Sequence, residues 1–365
     1  MTSPTPAVSA RTADFGAYVH IPFCARRCDY CAFATWTDRA HLMGAYLDAV
    51  EQEVRGFTAA GGPRATSVFF GGGTPSLVPA ADLMRVLAAI ERVDGAEVTV
   101  ECNPDTVTDE LLTTYRQGGV TRLSFGVQSM VDHVLVGLGR THDVANVERA
   151  VDAARRAGFT SFNLDLIYGG SGESVDDWRL TLERVIALDP PHVSAYALTV
   201  EAGTPLAADA SRHPDDDDQA DKYLLADELL GQAGLGWYEI SNWARPGFEC
   251  RHNLLYWAQG DYRGFGCAAH SHLSGRRWWN LRTPERYVDA VGSGGSVEGG
   301  FEQLDDDTRR IEGLQLALRM ADGVPLEALA DDGGELDHLL VRHGDRVSLT
   351  VEGRLLANEV ALRLS

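Results

Sequence analysis

The chain has 365 residues, 44% of them hydrophobic and 23% charged, a composition that builds a sizeable core and excludes a disordered, collagen-like or coiled-coil main state. No apolar run approaches the roughly 18 residues needed to span a bilayer, so no transmembrane segment is expected. Lys plus Arg is 32 against 53 for Asp plus Glu, and the net charge of −21 repels a phosphate backbone and argues against nucleic acid as a general partner.

Residues 1–14 are polar and rich in Pro and Ser, with no apolar signal core, and read as a flexible tail on a cytoplasmic protein. Six short β-branched or aromatic runs follow, at 17–21, 66–70, 97–100, 122–126, 161–167 and 192–197. Helical patterns near 39–57, 80–93, from 108, 144–157 and 175–188 separate them. Strands alternating with amphipathic helices make βαβ units on a parallel sheet, and six units predict an α/β fold with an open or partial (β/α)6 barrel. Such sheets carry chemistry at the carboxyl ends of their strands. The unusual polar residues fall there. Three cysteines follow the first strand and a glycine run the second; Glu101 follows the third and Gln128 the fourth, and Asp165 and Tyr168 lie late in the fifth.

Past residue 200 the rhythm changes. The acidic run 215–218 reads as a solvated loop or helix start, 222–231 as a helix, and 237–279 as an aromatic-rich stretch with little periodicity. A Gly/Ser-rich segment at 291–300 reads as a linker or exposed turn, 305–320 as a helix, and 346–364 as a short strand, turn and helix. The expected organisation is a tail over 1–14, the barrel with its extension over 15–282, and a smaller, mostly helical, winged-helix-like domain over 283–365.

Six cysteines are spread unevenly: Cys24, Cys28 and Cys31 lie within eight residues, whereas Cys102, Cys250 and Cys267 are scattered. A disulfide framework does not suit a cytoplasmic chain of this size, so the cluster points to metal or redox chemistry. Three thiolates are one short of a closed structural zinc site and one more than the pair that a Cys-x-x-Cys redox site uses. A cubane takes one thiolate per iron, so three cysteines leave one iron open. Zinc completed by His20, or three plain loop thiols, are the other readings. Gly71, Gly72, Gly73 and Thr74 allow close backbone approach to a ligand or simply make a turn.

Tyr18-Val-His-Ile-Pro-Phe-Cys24, with its Cys-x3-Cys-x2-Cys spacing, resembles the signature of radical S-adenosylmethionine (SAM) proteins. More narrowly it resembles the family that contains anaerobic coproporphyrinogen III oxidase and its heme-chaperone relatives, and the supporting motifs run from Tyr18 to about His272. The resemblance implies a partial (β/α)6 radical SAM barrel in which Cys24, Cys28 and Cys31 bind a 4Fe–4S cluster whose open iron is chelated by SAM. An electron passed through the cluster from a donor can then cleave SAM to a 5′-deoxyadenosyl radical. It further implies that Gly72, Gly73 and Thr74 meet the methionine part of SAM. Glu101 offers an acceptor to its ribose or ammonium, and Gln128, Arg140, Asp165 and Ala197 make further contacts. Tyr18 and Tyr30 flank the cysteine loop and cover cluster or adenine. Arg140 is equally readable as a structural ion-pair partner of Asp165.

Two departures separate the chain from the oxidase branch: Phe33 stands where the oxidase has a fourth cysteine, and only 17 residues precede Tyr18. A third feature, His252-Asn-Leu-Leu-Tyr-Trp257, matches a heme-binding motif of the chaperone branch. Imidazole is a good axial ligand for heme iron, and Tyr256 and Trp257 supply flat apolar surface. A packed aromatic corner with a hydrogen-bonded histidine is the structural reading of the same residues; His270, His272 and Cys250 are alternative ligands. The expected function is a heme chaperone that binds the cluster, SAM and heme and passes heme to acceptor proteins. The alternative is oxygen-independent oxidative decarboxylation of coproporphyrinogen III.

Overall fold

In the computed structural model residues 14–140, 143–330 and 334–364 are described, so all of the expected tail except Asp14 lies outside them. Six strands, β1 (Phe15–Ile21), β2 (Ala65–Gly72), β3 (Arg92–Cys102), β4 (Arg122–Gln128), β5 (Ser161–Tyr168) and β6 (His192–Ala197), lie side by side in chain order, all parallel. Between them run α1 (Met43–Ala59), α2 (Ala80–Ala89), α3 (Asp109–Gly118), α4 (Asp132–Gly137), α5 (Val144–Arg156) and α6 (Val175–Ala187). Local signals set the helix starts: Thr108 caps α3 through Leu111 N–H, Asp143 caps α5, and Ser174 forms a capping box with Asp177 on α6.

The two faces of these strands differ in chemistry. Val19, Val68, Val98, Leu123, Leu164 and Val193 point outward and are buried against the helices. Their neighbours one residue away point into the lumen and are largely polar, as period-two alternation requires. The barrel is open: β6 pairs antiparallel with β8 (Asn242–Ala244) and, beyond it, β7 (Gly236–Glu239). On the other flank β9 (Asp261–Phe265) joins β1 in parallel, followed by β10 (His270–Leu273), β11 (Arg276–Asn280) and β12 (Glu298–Gln303), a 12-stranded mixed sheet in all. The stretch 237–279 is thus five strands around α8 (Arg251–Trp257), each too short for a hydrophobic period to show.

One open expectation resolves and another changes. The acidic run starts α7 (Asp216–Gln232): Asp215 accepts from Asp218 N–H as its cap, and Asp218 pairs at 2.6 Å with Lys222. Lys222, the only lysine of the chain, is fully buried, and its Nζ also lies 3.2 Å from Glu173. The packing also does not change at residue 283, because α9 (Pro284–Gly292) contributes Tyr287 and Val291 to the main core and β12 extends its sheet. The 291–300 segment therefore leads from α9 into β12 rather than linking domains. A second core begins with α10 (Asp306–Leu318). That unit combines β13 (Val324–Pro325), β14 (Leu340–His343) and β15 (Arg346–Leu349), paired as a three-stranded antiparallel sheet, with the short α11 (Val351–Leu355) and α12 (Ala357–Ala361). Helical residues outnumber strand residues in it, with the small sheet beside them.

Candidate functional site

The cysteine loop leaves β1 and is tied down by backbone bonds: Trp36 N–H donates to Pro22 O at 2.7 Å and Cys24 N–H to Trp36 O at 3.1 Å. Asp29 N–H donates to Leu138 O, and Leu206 N–H to Asp29 O, which anchors the far side of the loop. The thiols of Cys24, Cys28 and Cys31 are free and half-buried. Thr74 Oγ1 donates toward Cys24 Sγ at 3.7 Å, and Arg140 Nη1 toward Cys28 Sγ at 3.5 Å. Burial pushes the Cys24 and Cys31 thiols up, and each neighbouring thiolate adds to this, whereas the Thr74 contact lowers Cys24.

His20 does not complete a zinc site. Its Nε2 donates to Ala34 O at 2.9 Å, which leaves Nδ1 to accept from Tyr18 OH at 3.0 Å, so both ring nitrogens are spent. Among the described residues no three His, Cys, Asp or Glu side chains converge as around a single ion. Three clustered thiols with hydrogen-bond donors aimed at two of the sulfurs, and no fourth ligand among the described residues, suit a polynuclear iron–sulfur group with one iron left open.

The glycine run is fastened to this loop. Gly73 N–H donates to Ile21 O at 2.7 Å and Thr74 N–H to Phe23 O at 2.8 Å. A Cβ on Gly73 would sit 2.7 Å from Phe23 O and 3.1 Å from Cys24 Sγ; one on Gly72, at φ +109, would strike the His20 ring at 2.4 Å. Gly72 N–H donates to Glu101 Oε2 at 3.1 Å, which brings the ends of β2 and β3 together. Burial raises the Glu101 carboxyl to about 8, with Asp165 adding and Gly72 N–H opposing.

Gln128 closes β4 at φ +65, a backbone state that non-glycine residues rarely adopt, where the register with β5 slips by one residue. Arg140 Nη2 donates to Gly126 O at 2.9 Å as well as meeting Cys28, so it belongs to the cysteine loop and not to an ion pair with Asp165. Asp165 instead accepts from Ser124 Oγ at 2.8 Å and Asn163 Nδ2 at 2.7 Å. Tyr30 packs beside Cys28 and Arg140. Ala197 is exposed where β6 ends.

Below the loop lies a cavity of about 240 Å³ that brings Tyr18, Gly72, Glu101 and Asp165 together. Its remaining lining includes Arg122, Ser124, Asn163, Ser194 and Tyr196, which carry no motif signal. The polar residue at every second position of β4, β5 and β6 is the sequence feature that marks them. Phe33, 66% exposed, stands at the mouth.

The His252 motif has a different form from the one expected of a heme ligand. His252 is buried; its Nδ1 meets Ser67 Oγ at 2.9 Å and its Nε2 meets Tyr256 OH at 2.9 Å, with the ring stacked on Phe69. Burial drops its pKa to about 3. The structure therefore makes it the packed, hydrogen-bonded histidine, and Asn253 is the motif residue that lines the cavity. His272 is equally committed, to Gly260 O and Gly275 N–H, and Cys250 is buried against Glu97. His270 alone of these candidates is exposed, with its ring 5.9 Å from that of Trp279.

The family model described as the radical SAM superfamily matches residues 18–185. The chain is 42% identical to the heme chaperone HemW of Mycobacterium tuberculosis (strain ATCC 25618 / H37Rv), over 96% of this chain and 94% of that one. It is 33% identical to HemW of Bacillus subtilis (strain 168), over 94% and 97%. In architecture it is similar to the coproporphyrinogen III oxidase HemN of Escherichia coli, a radical SAM enzyme, with a TM-score of 0.83 and 25% identity over 96% and 89% of the two chains. With relatives this similar over nearly their whole length, the protein belongs to the radical SAM superfamily and, within it, to the heme chaperone HemW family.

Proposed function

We propose that this protein is a cytoplasmic heme chaperone that carries a 4Fe–4S cluster and SAM at the carboxyl end of its barrel, takes up heme and delivers it to acceptor heme proteins. The observation that carries the reading is the 42% identity to the mycobacterial HemW over 96% of the chain. Superfamily membership brings the cluster and SAM with it. Cys24, Cys28 and Cys31 serve as the cluster ligands, and Thr74 and Arg140 offset negative charge on their sulfurs. Glu101 receives the cationic part of SAM while Gly72, Gly73 and Thr74 let its methionine end approach the backbone. Tyr18, Tyr30, Gln128, Asp165 and Ala197 complete that pocket. When bound, cluster and SAM together supply one-electron chemistry, which requires an electron donor.

For heme, His270 is the better axial ligand. Its ring makes no hydrogen bond among the described residues, and partial desolvation, with Arg277 nearby, lowers its pKa toward the neutral form that binds metal. Trp279 opposes it across the β10–β11 pair and lies over Gly300, where a Cβ would come within 2.6 Å of the indole. An open imidazole beside a flat aromatic shelf suits a tetrapyrrole face.

The similarity in architecture to HemN favours oxidative decarboxylation as the second reading. Phe33 opposes it, because that position carries a cysteine in the oxidase branch. Anaerobic incubation of the reconstituted protein with SAM, reductant and coproporphyrinogen III, beside a heme-transfer assay to an apo-acceptor, decides between them. Transfer without vinyl formation is expected; turnover to protoporphyrinogen overturns the chaperone reading.

A further inference from the structure

Arg122 opens β4, and strand alternation turns it with Ser124 toward the lumen. It is 2% exposed, and its Nε is buried without a hydrogen-bond partner. Among the described residues no carboxylate closes an ion pair with its guanidinium. Glu97 and Asp165 attract it from a distance, but both are turned elsewhere. Glu97 accepts from the N–H groups of Arg251 and His252 at 3.3 and 3.2 Å, and Asp165 accepts from Ser124 and Asn163. A buried guanidinium left without acceptors is unfavourable, and the fold tolerates it here against the wall of a cavity that a ligand can enter.

We propose that Arg122 is the receptor for a carboxylate that a ligand carries into the lumen. Its planar fork of donors matches a carboxylate in two parallel hydrogen bonds, which a neutral amide or a water does not reproduce. Asn253 and Ser194 line the same cavity as neutral polar groups. A cavity of about 240 Å³ admits an arm of a tetrapyrrole or the end of an amino acid, not a porphyrin ring. Heme bears that group as a propionate, whereas the methionine carboxylate of SAM belongs beside the cysteine loop, at the cluster's open iron. The proposal therefore rests on the chaperone reading.

The test titrates the anaerobically reconstituted full chain with two matched pairs: heme against heme dimethyl ester, and SAM against decarboxylated SAM. In the wild type heme should bind more tightly than its dimethyl ester, and Arg122→Gln should abolish that advantage, a loss of roughly ten- to a hundredfold, while sparing the ester and leaving the SAM preference unchanged. Arg122→Lys, which keeps charge but not the fork, should fall between. If the wild type binds neither heme nor its ester, the chaperone reading fails and the proposal falls with it; heme and ester bound equally overturn the proposal alone. If Arg122→Gln does not fold, the wild-type heme pair and Arg122→Lys decide. A loss confined to the SAM pair overturns the proposal by placing Arg122 in the SAM site, and an unchanged heme preference in a folded variant overturns it and leaves Arg122 a water-bridged structural cation.

Discussion

The cysteine loop and the His252 corner both present metal-ligating residues in compact motifs, yet their valences are used in opposite ways. In the loop the backbone is tied at Cys24, Asp29, Cys31 and Trp36 while three thiols remain free and half-open. In the corner the side chains themselves are tied: His252 is held at both nitrogens by Ser67 and Tyr256 and packed on Phe69. The same logic separates His20, spent on Tyr18 and Ala34, from the cysteines four and more residues away. A residue of ligating type is a ligand only where its electron pairs are unspent.

The contrast breaks most sharply at the thiols. Cys24→Ala, Cys28→Ala or Cys31→Ala should each reduce iron and sulfide content after anaerobic reconstitution to near background; unchanged content in any of them removes that residue from the ligand set.

His252→Ala should act on stability rather than on heme. Losing a buried ring and two hydrogen bonds costs about 2–4 kcal/mol in urea unfolding, with the heme absorption spectrum retained. His270→Ala should do the reverse, changing the spectrum with little effect on the unfolding midpoint. If the two variants exchange these phenotypes, the corner is an open site and the comparison is wrong.

The smallest effect sharpens the site from the acid side. Glu101 holds its proton in the folded, unliganded chain up to about pH 8, far above the usual carboxylate value of 4.5. A cationic ligand binds the ionised form, so SAM affinity should rise with pH by up to about tenfold per unit and level off above pH 8. Glu101→Gln should flatten that profile; an identical slope in the variant assigns the dependence elsewhere.

Much of the barrel is legible in the sequence because its signals are local. The helix starts at Thr108, Asp143 and Ser174 rest on caps within three residues, and β6 follows from a six-residue run. The loop thiols and the glycines are equally local, since their spacing fits them for a shared ligand. The region beyond residue 236 is less legible because strands of two to six residues show no clear period, and their pairing, β9 on β1 and β8 on β6, joins segments far apart in the chain. Lys222 shows the same limit: the sequence presents it after an acidic run, and only packing reveals that Glu173, far upstream, shares its charge in the core.

By itself the sequence determined the alternating strands and helices, the trio of thiols and the family to which they belong, because each depends on residue type and short spacing. The tertiary structure alone decided which of those residues still have something to offer a ligand. His252 is closed by Ser67, 185 positions away, Arg140 is drawn to Cys28, 112 positions away, and Arg122 Nε is left buried with no hydrogen-bond partner among the described residues. Desolvation and hydrogen-bond saturation are set by neighbours that only folding brings together.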